Sequence, residues 1–196
     1  MNIIFLDIDG VLNSTRTAIA FNGYPYKMPI QKSLAKFDIT AIKLIRKLCK
    51  ETNSKVVISS TWRGSAKSIN CFDNFKLPII GMTPRLGYAP RGIEIQQWLD
   101  NEPTDIDNYC IIDDDSDMLD SQLPYFVKTD VNNGFLFDDY MKATRILKGY
   151  VIIESLDGYD IWSREDNQTV LVYKNNRFWD EAISLEVAKC KIKNIY

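Results

Sequence analysis

At 196 residues, with 45% hydrophobic and 26% charged residues, the chain has the size and composition of one medium globular domain, or one domain with a small appendage. Its formal net charge of −2 excludes nucleic-acid binding through overall charge alone and leaves only a local basic groove for that purpose. It contains no histidine, which excludes Ser-His-Asp and Cys-His catalysis and every zinc site with a histidine ligand.

The first three quarters of the chain alternate apolar runs with amphipathic segments. Four short apolar runs predict buried parallel strands: Ile3–Asp7, Lys55–Ser59, Tyr109–Asp113 and Tyr125–Asp130. Apolar residues at helical spacing predict three helices, over residues 38–49, 92–99 and 140–147. The stretch 13–37 is expected to be irregular, as a long loop or small insert, and the stretch 64–90, which contains three prolines, has a mixed pattern. The alternation predicts an α/β, Rossmann-like three-layer fold around a parallel sheet.

The pattern changes near Gly149, so we assign residues 1–148 to the main domain and 149–196 to an appendage. Four strand-like runs follow, with the turn signals Asp157-Gly158 and Asn175-Asn176 between them: Tyr150–Glu154, Tyr159–Trp162, Thr169–Tyr173 and Arg177–Trp179. The appendage is therefore expected to be a small antiparallel, β-rich unit with a helix near residues 180–189. The sequence gives no role for it.

Polar residues follow the ends of three predicted strands. The first strand ends in Asp7, with Asp9 two residues on, the second in Ser59-Ser60, and the third in Asp113-Asp114. Because the carboxyl ends of parallel strands meet at one sheet edge, these groups should converge. So many carboxylates cannot be crowded together as anions without a cation, and oxygen ligands without histidine or cysteine favour Mg²⁺ over zinc.

Four motifs in this order resemble those of the haloacid dehalogenase-like (HAD) hydrolases. They are Asp7-Ile-Asp9-Gly-Val, Ser59-Ser60 at a strand end, Arg91 before a helix, and Ile111-Ile-Asp-Asp114. The finer pattern is similar to the phosphatase-like domains of nucleic-acid repair proteins in that superfamily. It comprises Asp7–Asn13, Ser60–Arg63, Arg91–Ile95, Asp113–Asp117 and Thr129–Gly134. The resemblance covers about residues 1–148.

The resemblance implies a magnesium-dependent phosphomonoester hydrolase. Asp7 would attack phosphorus and form an aspartyl phosphate, and Asp9 would protonate the leaving oxygen and then activate water. The Asp7 carboxylate, the Asp9 backbone carbonyl and an acid at Asp113 or Asp114 would bind Mg²⁺. A serine hydroxyl and Arg91 would hold the phosphoryl oxygens.

Several assignments have alternatives. Ser59 is favoured over Ser60 as the phosphate contact because it ends the apolar run. Arg91 is favoured over Arg85 and Arg63 because it directly precedes a helix. Arg63 and Arg85 could instead contact substrate, Arg63 could pair with the acidic cluster, and Arg85 could simply be solvated. The tryptophans at positions 62 and 98 are interpreted as packing residues, with base stacking as the alternative. The acids at 115 and 117 are interpreted as caps of the next helix, with a metal contact by Asp117 as the alternative.

The expected substrate is a phosphate at a nucleic-acid end or on a nucleotide, because neither insert, 13–37 or 64–90, is large enough for a full closing domain. The alternatives are a small-molecule phosphatase acting on a sugar or nucleoside monophosphate, or a non-catalytic scaffold carrying a C-terminal binding module. Kinase activity of the P-loop type is not supported, since the G-x-x-x-x-G-K-[ST] loop is missing from the sequence.

The cysteines and the hydropathy pattern bear on the compartment. Cys49, Cys71, Cys110 and Cys190 form no C-x-x-C pair and suggest no disulfide framework, so we expect a reducing, cytoplasmic environment. No apolar stretch approaches the ~20 residues of a membrane-spanning helix, and the first apolar run has no basic flank, so neither a membrane segment nor a signal peptide is expected. No feature indicates an obligate protein partner.

Overall fold

A computed structural model describes residues 1–24, 36–64, 73–101, 105–164, 170–174, 177–182 and 184–193. The chain divides into two compact units, Met1–Leu147 and Lys148–Tyr196. Residues 25–35 and 65–72, which belong to the two predicted inserts, lie outside the described part. Within the described part, no helix is both long and apolar enough to cross a membrane.

The first unit is built around a five-stranded parallel sheet. Its strands are β1 (Asn2–Leu6), β2 (Ser54–Ile58), β3 (Ile79–Met82), β4 (Tyr109–Asp113) and β5 (Phe126–Lys128). Their order is β3-β2-β1-β4-β5, with every neighbouring pair parallel. The α-helices among the described residues of this unit are α1 (Thr15–Ala20), α2 (Ile39–Thr52), α3 (Arg91–Asn101) and α4 (Phe137–Leu147). The predicted α/β, Rossmann-like fold is confirmed.

Helices cover the sheet on both faces. On one face, α3 contributes Ile95 and Trp98 to a core cluster with residues of four strands: Ile3, Phe5, Val57, Ile111 and Phe126. On the other face, α2 packs against β2, and α4 packs against α2, β4 and β5. All side chains of Ile3–Leu6 are fully buried, which is why β1 is a continuous apolar run rather than an alternating one.

The register of the sheet brings the site residues together. Leu6 of β1 pairs with Ile58 of β2 on one side and with Ile112 of β4 on the other. The residues that follow these three positions are therefore neighbours at one edge of the sheet, and they are Asp7, Ser59 and Asp113.

Two elements occur that the sequence pattern did not predict. Strand β3 is a short, half-buried edge strand after Pro78, and helix α1 begins with a capping box between Ser14 and Thr17. The expectation of irregular structure was wrong for α1, and β3 was not predicted, because β3 has too few buried residues and α1 too few turns to give a periodic pattern. Asp38 caps α2, accepting from the Thr40 and Ala41 backbones.

The second unit is a four-stranded antiparallel sheet with one helix packed on it. Its strands are β6 (Tyr150–Leu156), β7 (Tyr159–Arg164), β8 (Val170–Lys174) and β9 (Arg177–Ala182), in sequential order. Helix α5 (Leu185–Lys193) starts later than the predicted 180–189 because residues 177–182 continue as strand. Asp157 and Gly158 both have positive φ, as a tight hairpin requires. The predicted turn at 175–176 lies outside the described residues.

Candidate active site

Three carboxylates meet at the carboxyl edge of the parallel sheet. Asp7, Asp113 and Asp114 each offer an oxygen atom, and these atoms lie within 4.8 Å of one another. Asp7 follows β1, Asp113 ends β4 and Asp114 comes next, so the sheet register places them here. The Asp9 carboxylate is not a member of this group, and the Mg²⁺ contact expected of Asp9 involved its backbone carbonyl.

Burial makes this cluster electrostatically unfavourable without a cation. Burial raises the pKa of Asp113, and the neighbouring charge of Asp7 raises it further. Burial also raises the pKa of Asp7, against the opposing effect of the Arg91 guanidinium. Oδ1 of Asp113 accepts from the Asp115 backbone, whereas its buried Oδ2 has no hydrogen-bond partner among the described residues. A divalent cation would satisfy this arrangement.

Arg91 forms ion pairs with two of the three carboxylates, those of Asp7 and Asp113. Its Nη1 donates to Asp7 Oδ1 at 3.0 Å and to the backbone carbonyl of Ser59, and lies 3.5 Å from Asp113 Oδ2. Arg91 is the first residue of α3, and its backbone N–H donates to Asp117 Oδ2 at 2.7 Å. Asp117 therefore caps the helix before it in sequence, not the following one, and so fixes the position of Arg91.

Both candidate serines lie at the end of β2 and are fully buried. The Ser60 hydroxyl hydrogen-bonds the Asp7 carboxylate and thereby favours its ionised form. The Ser59 hydroxyl has no hydrogen-bond partner among the described residues, although a buried hydroxyl normally has one. Ser59 thus has an available donor at the end of β2, and the preference for Ser59 as the phosphate contact stays a prediction.

The Arg63 guanidinium makes all of its hydrogen bonds to other groups of the protein. Its side chain is 5% exposed and forms a buried ion pair with Glu94 of α3. Its remaining N–H groups donate to four backbone carbonyls, those of Ser59, Ser60, Thr83 and Pro84. The five guanidinium N–H groups are all used. These contacts hold the turns after β2 and β3, and a substrate contact by Arg63 stays an untested prediction.

Arg85 has a different environment from Arg63. It is exposed on the loop after β3, with its guanidinium over Gly64, and it forms no ion pair with an acid in the described part of the chain. The next residue, Leu86, donates its backbone N–H to Glu94 Oε1 at 3.0 Å, which ties this loop to α3. Arg85 therefore stays available to a substrate.

The turn after β1 is fitted to the neighbouring strands. Gly10 has a φ of 68°, and Asp114 occupies the space that a side chain at this position would need. The Thr129 hydroxyl, which follows β5, donates to the Gly10 carbonyl at 2.8 Å. The Asp-x-Asp-Gly segment is thus held by residues that follow β4 and β5.

Sequence reasoning missed two side chains that hold Asp9. Asn13 Nδ2 donates to Asp9 Oδ1, and Trp62 Nε1 donates to Asp9 Oδ2, each at 2.8 Å. Trp62 was interpreted as packing, and it does pack edge-on against Phe37 with ring centroids 5.5 Å apart. The only sequence signal for its second role is its place three residues after Ser59, in the turn that follows β2.

Comparison with protein-family models identifies a match to most of the first unit. A family model described as the HAD domain in Swiss Army Knife RNA repair proteins matches residues 3–139. This span runs from β1 into α4 and contains every residue of the site. No curated protein and no solved structure matches the chain.

Proposed function

The chain belongs to the family of HAD domains in Swiss Army Knife RNA repair proteins, and from that premise we propose that it is a magnesium-dependent phosphomonoester hydrolase acting on nucleic-acid ends. The observation that carries the proposal is the cluster of the buried Asp7 and Asp113 with the half-buried Asp114, and Arg91 beside it. Carboxylates arranged in this way fit a hard divalent cation together with a phosphoryl group.

The metal would be held by Asp7, Asp113 and Asp114, with the Asp9 backbone carbonyl as a further ligand. Mg²⁺ suits this donor set, because every ligand atom is an oxygen and the buried Asp113 Oδ2 has no hydrogen-bond partner among the described residues. When bound, Mg²⁺ reduces the repulsion between the nucleophile and the phosphate.

The chain's own residues would carry the covalent steps. A carboxylate oxygen of Asp7 forms a bond to phosphorus while the bond to the leaving oxygen breaks, and Asp9 gives that oxygen its proton. Asp9 then removes a proton from water, which attacks the aspartyl phosphate. The bond between Asp7 and phosphorus breaks, and inorganic phosphate leaves with the free carboxylate restored.

The phosphoryl oxygens would be held by Arg91 and a serine hydroxyl. Arg91 contacts Asp7 at 3.0 Å, so a phosphoryl group on that carboxylate lies within reach of the same guanidinium. The buried Ser59 hydroxyl supports a second contact, because it has no hydrogen-bond partner in the described part of the chain.

A polymer end as substrate is supported by the loop between β3 and α3. Tyr88 is fully exposed there, at 107% of its reference area, and Arg85 is exposed three residues earlier. A cation can pair with a backbone phosphate and an aromatic ring can stack on a base, which a mononucleotide would exploit only in part. The loop leads directly into Arg91.

The enzyme proposal is tested by phosphate release from p-nitrophenyl phosphate with Mg²⁺ and with EDTA. We expect magnesium-dependent release that is lost in Asp7→Asn and kept in Asp105→Asn, a control at an exposed acid outside the site. No release from any phosphomonoester would refute the enzyme proposal. Full activity in Asp7→Asn would refute the assigned nucleophile.

Substrate class needs a separate comparison. Oligonucleotides carrying a terminal 5′- or 3′-phosphate are compared with the matching mononucleotides at equal concentration. We expect a higher kcat/KM on one type of oligonucleotide end. A preference for mononucleotides or sugar phosphates would replace the polymer-end proposal with a small-molecule phosphatase.

A further inference from the structure

Each oxygen of the Asp9 carboxylate accepts from a side chain, one in the same turn after β1 and one in the turn that follows β2. Asn13 Nδ2 lies 2.8 Å from Oδ1, and Trp62 Nε1 lies 2.8 Å from Oδ2. The terminal torsion of an aspartate side chain is broad and has no sharp preferred value of its own. Two donors at opposite oxygens therefore select one orientation of this carboxylate.

The two donors are themselves fixed. Asn13 is 1% exposed, and its Oδ1 accepts from the Gly10 backbone at 3.3 Å. Trp62 is 8% exposed, its backbone N–H donates to Ser60 Oγ at 3.3 Å, and its ring packs against the buried Phe37. The Asp9 carboxylate is thus attached to rigid parts of two loops rather than to mobile side chains.

From this geometry we propose that Trp62 and Asn13 are positioning residues for the proton transfers made by Asp9. The inference rests on the proposed function, because it assumes that Asp9 is the acid and base of a phosphatase. Each carboxylate oxygen has two lone-pair directions, so one donor at each oxygen leaves a second direction free for the transferred proton. Proton transfer requires heavy atoms within about 3 Å of each other, so a free rotation of Asp9 would reduce its rate.

A leaving-group comparison separates this role from a purely structural one. p-Nitrophenolate is a stable anion that departs without a proton, whereas a sugar alkoxide needs one from Asp9. In a two-step mechanism, kcat/KM reports only the steps up to departure of the leaving group. A defect in acid positioning therefore lowers kcat/KM on an alkyl phosphate far more than on p-nitrophenyl phosphate.

Trp62→Phe is the main variant, because it keeps a buried aromatic ring and removes the indole N–H. Trp98→Phe is the matched control, since Trp98 is equally buried but packs in the core on Phe5. For Trp62→Phe we expect kcat/KM on an end-phosphorylated oligonucleotide to fall about 10- to 100-fold, with a much smaller loss on p-nitrophenyl phosphate. Trp98→Phe should change kcat/KM by the same factor on both substrates.

A second variant covers the case in which Trp62→Phe fails to fold. Asn13→Asp has nearly the same shape and keeps the acceptor for the Gly10 N–H, but it replaces the donor to Asp9 with a repulsive charge. The same leaving-group-dependent loss is expected. If an active, folded variant loses kcat/KM equally on both substrates, or loses none, the positioning role is refuted and the proposed function is not affected. A wild-type protein inactive on both substrates would overturn the proposed function and this inference with it.

Discussion

Asp114 occupies the space that a side chain on Gly10 would need, so the glycine of the first motif and an acid of the fourth motif are fitted to each other. Gly10 also has a left-handed backbone, with a φ of 68°. Backbone conformation and packing therefore require glycine independently, and only the packing requirement concerns the proposed metal site.

Gly10→Ala should weaken Mg²⁺ binding by displacing Asp114. We expect the affinity for Mg²⁺ to fall about 10- to 100-fold, as when the support of a ligand is lost. Gly87→Ala is the control, because Gly87 has a φ of 69° with open space around it, so it adds backbone strain without displacing a neighbour. Calorimetric titration with Mg²⁺ measures the difference, and equal affinities in both variants would contradict the fitted arrangement.

Glu94→Gln should destabilise the first unit by leaving the Arg63 guanidinium buried without its ion-pair partner. Loss of one member of a buried pair costs about 3–5 kcal/mol. Urea unfolding monitored by tryptophan fluorescence measures this loss. Lys47→Met removes an exposed ion pair with Glu51 and should leave the unfolding midpoint almost unchanged. Similar midpoints for both variants would show that the Arg63 network is not a main support of the site.

Ser59→Ala should lower kcat/KM about 100- to 1000-fold, the cost of removing one donor to a developing negative charge. The unfolding free energy should change little, because the Ser59 hydroxyl makes no hydrogen bond within the described structure. Ser60→Ala also removes a hydrogen bond to Asp7. If Ser60→Ala loses phosphate affinity while Ser59→Ala does not, the phosphate contact belongs to Ser60.

Without metal, the protein should become less stable as pH rises from about 4 to about 8. Burial raises the pKa of Asp7 to about 6 and of Asp113 to about 8, so both carboxyls keep their protons longer in the folded state than in the unfolded state. Between the unfolded and the folded pKa of each group, only the unfolded chain ionises, and this favours unfolding. The free energy of unfolding falls by about 1.4 kcal/mol for each unit by which the two pKa values differ.

The measurement is the melting temperature in EDTA between pH 5 and pH 8.5. In Asp113→Asn the melting temperature should fall less steeply as pH rises, and this variant should be more stable than the wild type at pH 8. Mg²⁺ should stabilise the wild type more at pH 8 than at pH 5.5, because its ligands must lose their protons. A wild type and an Asp113→Asn variant with the same pH dependence would contradict the buried, ionisable role of Asp113.

Tyr88→Ala should lower kcat/KM on end-phosphorylated oligonucleotides and leave kcat/KM on p-nitrophenyl phosphate unchanged. Loss of one stacked base corresponds to about 1–3 kcal/mol. Arg85→Ala should have a similar selectivity and should also reduce the dependence of binding on salt. Phe178→Ala, which removes an exposed aromatic side chain of the second unit, is the control. Unchanged oligonucleotide kinetics in both loop variants would remove this loop from substrate recognition.

The sequence was sufficient where burial determines the pattern. Ile3–Leu6 and Ile111–Ile112 are fully buried, so their apolar runs identified β1 and β4 and thereby placed Asp7 and Asp113 at one edge. It was insufficient for β3, whose half-exposed edge position leaves only a short apolar run before Gly81. Sequence also could not pair Trp62 with Asp9, because that contact depends on how two loops meet after folding.

The two units differ in how far apart in sequence their paired strands lie. In the parallel sheet, Ile3 pairs with Tyr109, whereas in the antiparallel sheet Leu156 pairs with Tyr159 across a tight turn. Contacts between distant residues require closure of long loops and form slowly, while local hairpins form fast. During refolding, the hairpins of residues 148–196 should therefore form early, and the aspartate cluster should acquire its geometry only when the last crossover of the parallel sheet closes.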